Sequence, residues 1–175
     1  MHVLAISGSL RAGSSNTAVL EAARLLAPAG VAVSLYDGLA ALPAFDPDVE
    51  ESGDLPRAVR ELRRRVAESD ALMVCSPEYA HGFPGSLKNL LDWLVGSVDF
   101  PGTPVALVAA SERSVHAQAQ LAEVLRTMSA RLVPAEAVVV PLPGRSTDAA
   151  AIAADARLAG VLRDVLAGLR HAAEE

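Results

Sequence analysis

The stretch Gly8-Ser9-Leu10-Arg11-Ala12-Gly13-Ser14-Ser15-Asn16 offers hydroxyls at Ser9, Ser14 and Ser15, an amide at Asn16 and a guanidinium at Arg11. It follows the apolar run Val3-Leu4-Ala5-Ile6, which reads as a short buried strand, and the residues from Asn16 onward read as a helix. The loop therefore sits at the carboxyl end of a strand and the amino end of a helix. Backbone N–H groups at a helix start have no partner and carry partial positive charge, so they favour an anion. What the loop lacks narrows the choice of anion. A dinucleotide fingerprint has a glycine at the third loop position so that the backbone can approach a pyrophosphate. Here that position is Leu10, whose side chain is expected to obstruct the approach. A P-loop ends in Gly-Lys-Ser/Thr, and this loop has no lysine. Hydroxyls plus the one fixed charge of Arg11 match a terminal monophosphate. Asp37 imitates the ribose-binding acid of a dinucleotide fold, but an Asp-Gly pair after a strand is ordinary turn chemistry.

A second loop, Ser76-Pro77-Glu78-Tyr79-Ala80-His81-Gly82-Phe83-Pro84-Gly85, has special backbone chemistry. Pro77 and Pro84 stiffen its ends, while Gly82 and Gly85 let the chain come close to something flat. Its N–H groups can bond the polar edge of a heteroaromatic ring, and Tyr79 can pack on the ring face. His81 is the residue type of a general base, yet no serine, cysteine or acid stands at a spacing that implies a partner. A third polar segment, Ser111-Glu112-Arg113-Ser114, reads by itself as little more than a helix cap. Cys75, the single cysteine, continues the apolar run Ala71-Leu72-Met73-Val74 and reads as a small buried hydrophobe. It excludes an intramolecular disulfide and a cysteine-based zinc cluster. No catalytic residue and no metal ligand is assigned.

Alternating elements must position these loops. Strands are expected near residues 2–7, 31–36, 71–75, 104–109 and 137–140. Helices are expected over about 16–27, along the stripe Leu55, Val59, Leu62 and Val66, and from Pro84 through Trp93 to about Val95. Two more follow Leu121, Val124, Leu125 and Met128, and Leu158, Leu162, Val165 and Leu169. Residues 37–54, with Pro43, Pro47 and Gly53, read as the longest irregular connection. Strands that alternate with helices imply an α/β doubly wound parallel sheet covered on both faces. Ligands of such sheets bind beyond the carboxyl ends of the strands.

The 175 residues suit a single domain, residues 1–175, with no internal repeat. A net charge of −6 argues against a nucleic-acid surface, and Arg63-Arg64-Arg65 reads as a solvated helix face. No run of roughly eighteen apolar residues suggests a membrane span. No secretory leader pattern is visible, so the expected location is cytoplasmic.

The loops together resemble the NADPH-dependent FMN reductases, a family that includes chromate and quinone reductases and some azoreductases. The family pattern Gly-Ser-Leu-Arg-x-x-Ser-x-Asn is matched by Gly8, Ser9, Leu10, Arg11, Ser14 and Asn16. The pattern Pro-Glu-Tyr-x-x-x-x-Pro-Gly-x-Leu-Lys-Asn-x-x-Asp-Trp is matched by Pro77, Glu78, Tyr79, Pro84, Gly85, Leu87, Lys88, Asn89, Asp92 and Trp93. The resemblance implies a flavodoxin-like three-layer sandwich with a five-stranded parallel sheet of order 2-1-3-4-5. It implies FMN bound non-covalently, with Ser9, Arg11, Ser14, Asn16 and Thr17, beside Ser15, around the phosphate. Pro77, Glu78, Tyr79 and Ala80, with Gly82 nearby, would border the isoalloxazine ring, and Ser111 would touch it from the other side. NADPH or NADH would be the co-substrate and a small quinone-, azo-, chromate-like or free-flavin molecule the acceptor. A homodimer or homotetramer is implied as well. A flavodoxin-like electron carrier or flavin-binding regulator without turnover is the alternative. The chain departs from the pattern in having Ala80-His81 after the tyrosine, where many members have a polar residue. It also has Glu112-Arg113-Ser114-Val115-His116 where many have a glycine-rich run.

Overall fold

Strand β1 (His2–Ser7) is flanked by β2 (Ala32–Tyr36) on one side and β3 (Ala71–Cys75) on the other, both parallel to it. The computed structural model that shows this describes residues 1–142, 144 and 148–175. Strand β4 (Pro104–Ala109) adds to β3, again in parallel. Beyond it lie two short pieces, β5 (Arg131–Leu132) opposite Pro104 and Val105, and β6 (Val138–Val139) opposite Val108 and Ala109. Because β3 occupies one side of β4, both pieces run along its other side. The order β2-β1-β3-β4-β5 is the one that the resemblance implied. The fifth strand expected at 137–140 is only the second of these pieces. Pro134 lies between them and has no N–H to give to a ladder.

The strands are apolar on both faces because both are covered. On one face Val3, Ala5, Met73 and Cys75 pack against Val19 and Leu20 of α1 (Ser15–Leu26) and Leu162 and Leu166 of α7 (Ala156–Ala173). Helix α6 (Ala149–Ala154), not foreseen as separate from α7, joins them through Ile152. On the other face Leu4, Ile6, Leu72 and Val74 meet Leu62 of α3 (Arg57–Ala67), Leu90 of α4 (Gly85–Val95) and Leu121 of α5 (Val115–Thr127). Each fully buried leucine contributes roughly 1.5–3 kcal/mol relative to exposure. Among the described residues, no helix is long and apolar enough to cross a membrane.

The 37–54 connection is not irregular throughout. It contains the helix α2 (Pro47–Ser52), whose start is fixed by the Asp46 carboxylate accepting from the Asp48 N–H. Proline at N1 and glycine after the last turn, the residues that suggested a loop, are here the helix's own start and stop. The connection is held against α4. Asn89 accepts from the Phe45 N–H at 2.7 Å and donates to the Pro43 carbonyl at 2.8 Å. The same carbonyl accepts from the buried Trp93 indole at 2.9 Å, and Phe45 meets the Trp93 ring edge-on.

The arginine triplet of α3 divides into different roles. Arg64 pairs on the surface with Glu61 and Glu68, as expected of a solvated face. Arg63 instead pairs with Glu50 of α2 at 2.7 Å and donates to the Trp93 carbonyl, and Arg65 donates to the Leu35 carbonyl. A helix turns about 100° per residue, so adjacent arginines must face different neighbours. Asn89→Ala should lower stability by about 1–3 kcal/mol, since it leaves the Phe45 N–H without a partner and takes one of two donors from the Pro43 carbonyl. Urea unfolding followed by Trp93 fluorescence checks this, and a wild-type midpoint would contradict the clamp.

Candidate functional site

The carboxyl ends of β1, β3 and β4 open onto one cavity of about 1070 Å³. Its wall brings together Ser9, Arg11, Ser14, Ser15, Asn16, Pro77, Glu78, Tyr79 and Ser111, all singled out in the sequence. Thr17, Ala80 and Gly82 lie outside that wall. Leu10, expected to obstruct a pyrophosphate, is 60% exposed and also lies outside that wall.

A chain of hydroxyls sets the first loop. Thr17 on α1 bonds Ser7 across 2.8 Å, Ser7 Oγ accepts from the Ser9 N–H, and Ser9 Oγ accepts from the Arg11 N–H. Ser14 caps α1 by accepting from the Thr17 N–H. A hydroxyl that accepts from a backbone N–H still has its own proton to donate, so Ser9 and Ser14 remain donors toward an anion. Asn16 is oriented by Cys75, whose Sγ donates to its Oδ1 at 3.3 Å; the NH₂ end is left for a ligand. Burial pushes the Cys75 thiol up to about 12, which keeps it protonated in that role. Gly8 has a packing reason: a Cβ there would meet Ser76 Oγ at 2.6 Å. The first and second loops therefore touch at their bases.

The second loop is a tight reversal. Tyr79 N–H donates to the Gly82 carbonyl at 2.8 Å and the Gly82 N–H returns to Tyr79 at 3.0 Å. Ala80 and His81 between them have φ of 49° and 63°, the paired left-handed pattern of a primed hairpin turn. For residues bearing a Cβ this costs about 1 kcal/mol each, so neighbours must hold it. Gln120 donates to the His81 carbonyl, and the His81 ring stacks on His116 with centroids 4.3 Å apart. His81 is thus a packing partner of α5 in this structure. Tyr79 stays 58% exposed on the cavity wall, an aromatic surface open to a ligand.

Glu78 does something that its sequence position did not reveal. Its Oε2 accepts from the Ala117 N–H at 2.9 Å and so caps α5, whose own N-cap residue Ser114 makes no side-chain bond. That carboxylate ties the second loop to the third. The wall also contains Arg113, expected only as part of a helix-cap segment, and Arg157, which no motif singled out; Arg157 donates to the Pro141 carbonyl. In place of the single fixed charge of the first loop, the described part of the wall has three guanidiniums. Arg157 was hidden because it opens the last helix, far along the chain from the other loops, and only the packing of α7 beside α1 brings it in.

Sheet order and wall together define a flavodoxin-like fold whose first loop lines the cavity with hydroxyl, amide and guanidinium donors. The model of the NADPH-dependent FMN reductase family matches residues 1–142, and the chain belongs to that family. An NAD(P)H-dependent FMN reductase of Pseudomonas aeruginosa is 40% identical over 113 residues, 63% of this chain and 60% of that protein. A quinone reductase of Escherichia coli is 34% identical over 113 residues, with the same shares covered. The matched part thus spans about three fifths of these curated relatives. The flavoenzyme NAD(P)H:(acceptor) oxidoreductase FerB of Paracoccus denitrificans superposes with a TM-score of 0.78 at 26% identity, over 97% of either chain.

Glu78→Ala should lower stability by about 1 kcal/mol, the usual worth of a helix cap, and speed amide exchange at Ala117. Glu78→Gln, which keeps an acceptor, should retain most of both; equal loss in the two variants would argue against capping. The Cys75 thiol should resist a disulfide reagent at pH 8 in the folded chain and react once it is unfolded in urea. Rapid native labelling would contradict its burial.

Proposed function

We propose that this chain is an NAD(P)H-dependent FMN oxidoreductase in which residues 1–175 form one FMN-binding domain. The observation that supports the reading most is the convergence of Ser9, Arg11, Ser14, Ser15 and Asn16 with Pro77, Glu78, Tyr79 and Ser111 on one cavity wall. The donor set suits the group. The start of α1 offers unpaired N–H groups, Ser9 and Ser14 retain hydroxyl protons, and among the described residues Arg11 forms no ion pair. These would hold a phosphate dianion. The stiff turn at Pro77–Gly82, with exposed Tyr79, would border a planar ring system, and Ser111 would close the opposite side.

When bound, FMN supplies hydride acceptance from a reduced nicotinamide and delivery of electrons to an acceptor. The protein's part is placement. Thr17 would act through Ser7 and Ser9 to fix the loop, and Ala80 and Gly82 through the turn that presents Tyr79. Similarity to an FMN reductase and a quinone reductase favours a small acceptor such as a quinone or free flavin; azo compounds and chromate are further candidates. Assembly as a homodimer or homotetramer belongs to the same proposal.

Titration with FMN should show one site per chain and raise the unfolding temperature at saturation, because a ligand that binds only the folded state stabilises it. A protein whose unfolding ignores saturating FMN would sink the proposal. Arg11→Ala should weaken FMN by about tenfold or more, the scale of a charged hydrogen bond, and leave riboflavin affinity unchanged. Equal losses for the two flavins would remove Arg11 from the phosphate. Steady oxidation of NADPH in the presence of a quinone separates an enzyme from an electron carrier.

A further inference from the structure

Among the described residues, the cavity wall has more positive charge than one phosphate requires, and that charge comes from separate loops. Arg11 belongs to the loop after β1. Arg113 follows the end of β4, while Arg157 bonds the carbonyl of Pro141, just past β6, which itself pairs with the end of β4. In the order β1-β3-β4 the strand ends that precede Arg11 and Arg113 are two strand spacings apart, about 10 Å. Arg157 enters on the face where α7 packs beside α1. A single phosphate gripped by the β1 loop is a poor match for both groups. The volume of about 1070 Å³ also stands at the upper end of the roughly 300–1,000 Å³ typical for one drug-sized ligand, so two co-ligands can share it.

Local electrostatics sharpens the point. Arg157 lies in the first turn of α7 and Arg113 immediately before Ser114, the N-cap of α5. Both guanidiniums stand at positive helix ends, where an anion is preferred to a cation. Asp155 caps α7 through the Arg157 and Leu158 N–H groups, and Glu78 is engaged in capping α5. Glu112 is the other acid on the wall, and among the described residues neither Arg113 nor Arg157 forms an ion pair. The two cations approach from opposite faces of the sheet, since α5 packs on one and α7 on the other.

We infer that Arg113 and Arg157 form a second anion subsite at the end of β4, which takes a phosphate of the pyridine dinucleotide donor. The inference rests on the FMN reading above and assigns two further described cations of the same cavity. A dinucleotide with its nicotinamide over the cavity centre would bring its phosphates to this subsite by extending away from the β1 loop.

The test uses the FMN-loaded protein and direct binding, by calorimetry, of NADP⁺ and NAD⁺. Arg157→Gln keeps a donor for the Pro141 carbonyl and loses the charge, so a mere tether would survive it; Arg113→Gln is the second variant. Each should raise the NADP⁺ Kd by about tenfold, the scale of one charged hydrogen bond, with the FMN Kd unchanged. An unchanged NAD⁺ Kd would assign the pair to the 2′-phosphate, and a parallel rise to the pyrophosphate; either supports the subsite. A rise in the FMN Kd alongside that of NADP⁺ would return the arginines to the cofactor phosphate and overturn it. An unchanged NADP⁺ Kd in both variants, including one accompanied by a raised KM for an acidic acceptor, would overturn it too. If the unmutated protein does not bind FMN, the underlying reading fails first and this one with it.

Discussion

Parallel strands joined by helices direct every strand's carboxyl end, and every following helix's amino end, to the same edge of the sheet. The structure depends on this constraint. Backbone N–H groups without partners gather there at the starts of α1, α5 and α7, and the side chains nearby either cap them or add to their charge. Ser14 and Asp155 cap from within their own elements, whereas α5 takes its cap from Glu78 in another loop. A chain with a net charge of −6 thereby builds a cavity whose wall includes Arg11, Arg113 and Arg157.

The family motifs turn out to serve two ends. Ser9, Ser14 and Asn16 face the cavity, yet each is also tied into its surroundings: Ser9 to the Arg11 N–H, Ser14 to the Thr17 N–H, Asn16 to Cys75. In the second motif, Asn89 and Trp93 sit away from the wall and pin the 37–54 connection through Pro43 and Phe45. Gly8 is small because Ser76 crosses over it. Such residues fix the geometry in which the others can hold a ligand, which is the contribution a protein makes to cofactor chemistry.

Cys75 and His81, two residues of types used in nucleophile and proton chemistry, have packing partners in this fold. Cys75 is fully buried, raised in pKa by that burial, and donates to Asn16. His81 stacks on His116 beside a turn with left-handed residues, where its ring helps to hold the backbone. Orientation and charge are what the wall supplies.

Periodicity and local chemistry were sufficient for the strands from β1 to β4, the helices that cover them and the loop after β1, because each depends on neighbours within a few residues. The loop chemistry together with the family resemblance singled out nine residues that the folded chain gathers on one wall. Local chemistry misread Pro47 and Gly53 as marks of a loop, since the same residues start and stop a helix as readily as they break one. It also took Arg63-Arg64-Arg65 as one face, although Glu50, Glu68 and Leu35 receive them separately. The Glu78 cap, the split fifth strand and the arrival of Arg157 beside the cavity were decided by tertiary structure alone. Each joins residues far apart in the chain, and such a contact exists only once the sheet has fixed the distance between its strands.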